Sequence, residues 1–143
     1  MRSIKFRGKT EEMNSWWTYG NLVICDNGDY QIGNCPRYGD IYYRSKVFEE
    51  TVGQYTGLHD ENGKEVYEGD IIEFSYDMFV GNFDTFVAKC KVVFEEGAFY
   101  VEVFENERTT KDETYLLYSI NLDTIEVIGN IYENKELLNE TNR

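Results

Sequence analysis

Histidine occurs once in this chain, proline once and cysteine three times among 143 residues. The lone histidine, His59, stands beside Asp60 and could begin an acid–base pair. No serine or cysteine is tied to it by a nucleophile motif, so an exposed turn histidine is the better account. Cys25, Cys35 and Cys90 form an odd, sparse set without CxxC spacing. Free thiols in a reducing cytoplasm are expected, and a metal or disulfide role for Cys25 and Cys35 lacks histidine partners and close spacing. With one proline and 16% aromatic residues the chain does not have the composition of a disordered one. No apolar run approaches 18 residues, so no membrane-spanning segment is expected. The opening "MRSIKFRGKTEEM" lacks the apolar core of a secretory signal.

Basic residues are scarce in the second part of the chain. Residues 1–50 hold seven Lys/Arg and seven Asp/Glu, whereas residues 51–143 hold seven against twenty, which is the whole net charge of −13. Such a field repels nucleic-acid phosphates unless a local basic patch compensates. Arg2, Lys5, Arg7 and Lys9 are the one cluster of that kind.

What the sequence has instead is β pattern and turn formers. "IKFR" (4–7) alternates apolar and basic, and "SWWTYGNLVI" (15–24) is rich in aromatic and β-branched residues, with 8–14 as a loop between them. Residues 25–40 carry Asn27-Gly28, Gly33-Asn34 and Gly39-Asp40, the marks of hairpins or an ordered loop. Strands are expected at 50–58 and 65–74 around "HDENGK", and at 88–94 and 98–104 around "EEG". A charged loop (105–114) then leads to "YLLYSI" (115–120) and "TIEVIGNIY" (124–132). Asn134 is placed to cap a short helix over "KELLNE". Eight or nine short strands at this spacing indicate an all-β fold: a small barrel or sandwich of short antiparallel strands with a short C-terminal helix. The expected division is an N-terminal β segment, 1–49, and an acidic barrel-like unit, 50–143, within one folding unit of about the usual domain size.

The stretch "GQYTGLHDENGKEVYEGDII" (53–72) concentrates glycines and acids as a ligand loop would. Read as a calcium loop from Asp60, it has Glu65 where glycine is required and Ile71 where glutamate is required. Read as a phosphate loop, Gly63-Lys64 is followed by Glu65 instead of Ser or Thr. A cation among Asp60, Asn62, Glu65 and Asp70 is the weaker reading. The stronger one is two turns, Asn62-Gly63 reversing a hairpin and Glu68-Gly69-Asp70 bending the chain into "IIEF". Together with "IKFRGK" before it and "EVIGNIYEN…LL" after it, this block resembles the YopX family of phage and prophage proteins. The resemblance implies a β-rich fold carried by phages of Gram-positive bacteria, with no assigned activity and no catalytic residues to carry over.

No catalytic, cofactor-binding or metal residue is assigned from sequence. Glu95-Glu96 are neighbours on one turn, whereas hydrolases need two carboxylates converging across a cleft. Trp16-Trp17 are adjacent on a strand and so face opposite ways; a core position for one leaves the other outside or at an interface, unless neighbouring elements cover both. "SYDMFVGNFDTF" (75–86) reads as one more packed hairpin or as an apolar loop offered to a partner or a second copy. The leading expectation is a small phage- or prophage-encoded accessory protein of the host cytoplasm. It would be non-enzymatic and would act on a protein partner or on itself as a homo-oligomer. One alternative is an acidic DNA mimic that inhibits a nucleic-acid-binding protein. The other is a nucleic-acid-binding small barrel, with "IKFRGK" on phosphates and Trp16 or Trp17 stacking a base.

Overall fold

Turn residues divide the chain into short antiparallel strands, and the computed structural model describes them over residues 1–34, 43–108 and 112–139. The chain forms two compact units, Met1–Gly57 and Leu58–Arg143.

In the first unit β1 (Phe6–Lys9), β2 (Trp17–Ile24), β3 (Tyr30–Asn34), β4 (Tyr43–Val47) and β5 (Gly53–His59) lie in the order β4-β3-β2-β1-β5. β5 carries the chain on into the second unit. Asn27 makes the β2–β3 turn: its Oδ1 accepts the Asp29 N–H at 3.0 Å, and the Cys25 N–H reaches the Asp29 carbonyl at 2.8 Å. The β1–β2 loop closes on Thr10, which is fully buried. Its N–H donates to the Trp16 carbonyl, its Oγ1 accepts the Trp16 N–H, and its carbonyl accepts the Ser15 hydroxyl. Among the described residues, Ile32 and Val47 are the buried aliphatic ones here. Residues 30–34 thus belong to a strand within a stretch whose glycines and asparagines read mainly as turns.

The second unit is built on a five-stranded sheet in the order β10-β9-β8-β7-β11. These strands are β7 (Asp70–Val80), β8 (Asn82–Glu95), β9 (Ala98–Asn106), β10 (Glu113–Leu116) and β11 (Glu126–Asn130); β6 (Glu65–Tyr67) precedes them and α1 (Lys135–Asn139) follows. Period-2 alternation sends Ile72, Phe74, Ala88, Cys90, Val92, Val101 and Val103 to one face, where Val66, Leu117 and Ile125 complete a buried cluster. The connection from β10 to β11 supplies Leu117 and Ile125, with Ile120 and Leu122 partly buried beside them. On the opposite face Lys89 pairs with Glu105 at 3.5 Å and Lys91 with Glu102 at 3.1 Å, the cross-strand lacing of a solvated sheet.

The fold is all-β with a short C-terminal helix, as the strand pattern indicated. Its sheets are open: β10 and β11 are the outer strands of the second sheet, so the barrel alternative is not the one adopted. Asn134 heads α1, its carbonyl accepting the Leu137 N–H at 3.0 Å. Its side chain turns back, however, and Oδ1 takes the Asn130 N–H at 3.1 Å.

The β8–β9 turn gives a first testable consequence. Glu95 pairs with Ala98, leaving Glu96 and Gly97 as a two-residue turn with φ of 48° and 82°. Such a turn needs left-handed backbone at both positions, which asparagine adopts more readily than glutamate. Glu96→Asn is therefore expected to stabilise the protein by up to about 1 kcal/mol, read as a higher urea midpoint with unchanged slope.

Candidate functional site

The glycine- and acid-rich block of residues 53–72 turns two of its carboxylates, Asp60 and Asp70, inward onto the backbone. Asp60, only 7% exposed, accepts the N–H of Asn62 (2.9 Å) and of Lys64 (2.8 Å) on Oδ1 and that of Val127 (3.0 Å) on Oδ2. Burial by itself pushes this carboxyl up. The three N–H donors and the nearby Lys64 charge outweigh it and hold Asp60 below its ordinary value. Asp70 is buried as well, and its Oδ2 accepts the Tyr67 N–H at 2.8 Å. Glu61, Asn62 and Gly63 form the hairpin turn, closed by the Asp60 N–H on the Lys64 carbonyl at 2.7 Å, with Gly63 in left-handed backbone at φ 82°.

The C-terminal block packs directly on this one. In the register of β7 and β11, Asn130 lies opposite Asp70 and Gly129 opposite Ile71. Gly69 has φ of 91° and carries the Tyr132 ring so closely that a Cβ there would lie 3.0 Å from Cε2. A Cβ on Gly129 would lie 2.6 Å from Asn134 Oδ1, the same oxygen that holds the Asn130 N–H. The glycines and acids of the two blocks thus fix a joint between distant parts of the chain.

The remaining sequence candidates are dispersed. His59 is exposed at the end of β5 and Glu96 occupies the β8–β9 turn. Cys25 is half-buried, Cys90 is fully buried with burial pushing its thiol up, and Cys35 lies outside the described residues. Tyr115 donates to Glu113 Oε2, and this hydrogen bond raises its phenol further. Among the described residues, no three His, Cys, Asp or Glu side chains sit as a metal-holding group, and no helix is long and apolar enough to cross a membrane. Three residues of the basic N-terminal cluster are engaged with aromatic rings. Lys5 Nζ lies 5.0 Å from the Tyr55 centroid, Arg7 Cζ 4.6 Å and Lys9 Nζ 5.7 Å from that of Trp17. Trp17 is half-buried beneath these cations, and Trp16, just before β2, is exposed.

One element stands apart from all of these. β7 and β8 run on past their neighbours: β11 reaches Glu73, and β9 reaches Ala88. Beyond Ala88 the Glu107 backbone and carboxylate still hold Val87 at 3.1 and 3.0 Å. From there to the turn at Gly81, the described residues form a two-stranded arm. Its rungs alternate in facing: Phe79 lies opposite Phe83 on one side, and Tyr76 opposite Phe86 on the other. Ring centroids are 6.4 and 5.8 Å apart in the two pairs. At the base the Tyr76 hydroxyl donates to Asn106 Oδ1 at 2.8 Å and accepts from Arg108 Nε at 3.3 Å. At the tip Phe79 and Phe83 are 69% and 73% exposed.

The aromatic tip was visible in the sequence as "MFVGNF". The Asn106–Arg108 anchor was not, because it sits in a stretch readable only as a charged loop and reaches Tyr76 from 30 residues away. A two-stranded ribbon has little stability of its own in water, so this anchor matters. Tyr76→Phe removes both hydrogen bonds while keeping the ring. It is expected to speed hydrogen exchange of the arm's amides by about fivefold to tenfold, with core amides of β8 and β9 unchanged.

Comparison with curated proteins yields no match to the chain. The family described as YopX protein matches residues 5–139, a span that includes the Asp60 turn, the Gly69–Tyr132 joint and the whole β7–β8 arm. The chain belongs to the YopX family.

Proposed function

We propose that this protein works by binding another protein and not by catalysis, with the β7–β8 arm as its contact element. The carrying observation is the exposure of Phe79 and Phe83 together at the tip of a ribbon outside the shelter of the flanking strands. The exposed phenylalanines give the unbound protein little beyond their one cross-strand contact, whereas aromatic side chains anchor protein interfaces well. The resemblance to phage and prophage proteins supports an accessory role in the cytoplasm of a bacterial host.

DNA mimicry receives less support from the same features. A mimic needs carboxylates spaced like phosphates over an open face. In the second unit, cross-strand pairs such as Lys91–Glu102 interrupt the acids, and Asp60 and Asp70 point inward. Nucleic-acid binding through "IKFRGK" is disfavoured by Arg7, which is 5% exposed.

The test is affinity capture from bacterial lysate with three versions of the full chain: wild type, F79S/F83S, and a control, Tyr118→Ser, which alters an exposed aromatic residue outside the arm. A partner retained by wild type and by the control, and lost by F79S/F83S, is the expected result. A partner retained equally by all three would remove the arm from the contact.

A further inference from the structure

Between Lys64 and Lys89 the chain contains no lysine or arginine, while it contains Glu65, Glu68, Asp70, Glu73, Asp77 and Asp84. The arm is made from the second part of that stretch, and its two carboxylates, Asp77 and Asp84, are both exposed. They flank the aromatic tip on opposite faces. Asp77 shares a face with Phe79 and Phe83 and takes a hydrogen bond from Thr85 Oγ1 at 2.6 Å; Asp84 lies opposite Met78 on the other face. The arm therefore presents an apolar end with an acidic collar, and no basic residue lies between Ser75 and Val87. Among the described residues, Lys89 and Lys91 are engaged on the sheet with Glu105 and Glu102, and Arg108 meets the arm only at its base, through Tyr76, away from the tip.

We propose that the arm is a wedge for one kind of partner, a protein whose receiving cleft has an apolar floor and a rim of lysine or arginine. The inference rests on the binding reading above and adds the chemistry of what is bound. Charge decides among the occupants. A second copy of this chain would bring the same collar against Asp77 and Asp84, and like charges facing each other across a β contact are destabilising. It would also bring a further net charge of −13. A nucleic acid would meet the same repulsion from its phosphates. A basic rim meets attraction, and that attraction acts on the approach of the partner more than on its departure. The two phenylalanines then determine how long the complex lasts, because ring burial is short-ranged and is not screened by salt.

The experiment places a photo-crosslinker at the tip, Phe79→p-benzoylphenylalanine, in the full chain inside bacterial cells. The adduct is identified by mass spectrometry, and the purified partner is recombined with wild type, D77N/D84N and F79S/F83S. Three results together are expected. The adduct joins the chain to a different protein with a basic cleft; D77N/D84N slows association by about tenfold and flattens its salt dependence; and F79S/F83S mainly speeds dissociation. All the substituted side chains are exposed, and unchanged unfolding curves verify that each variant folds. An adduct of twice the chain's mass, an adduct with nucleic acid, or an association rate indifferent to both salt and D77N/D84N would overturn the inference. In the last case the arm still carries the contact and only its partner chemistry is wrong. If no adduct forms and F79S/F83S captures what wild type captures, the binding reading falls with it.

Discussion

Asp60→Ala is expected to destabilise the protein by about 3–5 kcal/mol, a large part of the 5–15 kcal/mol typical of a native protein. The substitution deletes no apolar packing. It leaves the N–H groups of Asn62, Lys64 and Val127 without the carboxylate that accepts them, in a position only 7% exposed. Each abandoned donor costs on the order of 1–3 kcal/mol, reduced where the turn can relax toward water. Because Val127 is 67 residues away, the loss also loosens β11 from the hairpin turn. Asp60→Asn is the informative control. It keeps one acceptor oxygen for the turn but presents an amide to one of the donors, and is expected to lose about half as much. Asp77→Ala, on the exposed arm, should cost under about 0.5 kcal/mol. Both tryptophans lie in the first unit, so the readout is hydrogen exchange of core amides in β8 and β9, not tryptophan fluorescence.

The same residue fixes the sign of a pH effect. Its carboxyl is held below the ordinary value of 3.8 when folded, so the unfolded chain binds the proton more readily. The stabilisation is present above the unfolded value and is lost as pH falls through the folded one. Wild type should therefore lose stability steeply below about pH 4, and Asp60→Ala should lose less over the same interval. Equal acid slopes in the two proteins would contradict this assignment.

The second large effect concerns binding. F79S/F83S is expected to weaken capture of the partner by about a thousandfold, since a buried aromatic anchor contributes roughly 2 kcal/mol and two are removed. The fold should not register the change beyond about 0.5 kcal/mol, because both rings are mostly in water in the free protein. That separation is the useful feature: Asp60→Ala damages the fold and changes no residue of the arm, whereas F79S/F83S damages the arm without the fold. Ring contact between Phe79 and Phe83 makes the pair non-additive, so the single variants are expected to sum to a different total from the double.

Local chemistry was legible in the sequence. Gly63 and Gly97 marked turns because glycine takes left-handed backbone without strain, and the strands on either side of "EEG" were readable from their β-forming residues. Long-range pairing was not legible. Nothing near Asp60 in the chain announces that its second oxygen serves Val127, or that Gly129 is a glycine because Asn134 folds back over it. β3 was obscured because Gly33 and Asn34, common turn residues, lie inside a strand. The reach of β7 and β8 was equally hidden. From sequence, 65–74 and 88–94 are separate strands with 75–86 between them as a packed hairpin or an apolar loop; that β7 and β8 run continuously through it, and where the arm begins, depends on where β9 and β11 stop pairing, which other segments set. The arm's aromatic content could be read directly; its isolation required the fold.

Hydrogen exchange of the full chain, alone and in the captured complex, is the most direct measurement of where the protein makes contact. In the free protein the amides from Tyr76 to Phe86 should exchange quickly, those of Ser75 and Val87 more slowly because Thr124 and Glu107 hold them, and those of Ile72, Cys90 and Val101 only on global opening. On binding, protection should appear from Tyr76 to Phe86 and nowhere else to a comparable degree. Protection confined to the open edge at Glu113–Leu116 or Tyr43–Val47, with the arm unchanged, would contradict the assignment of the β7–β8 arm as the contact element.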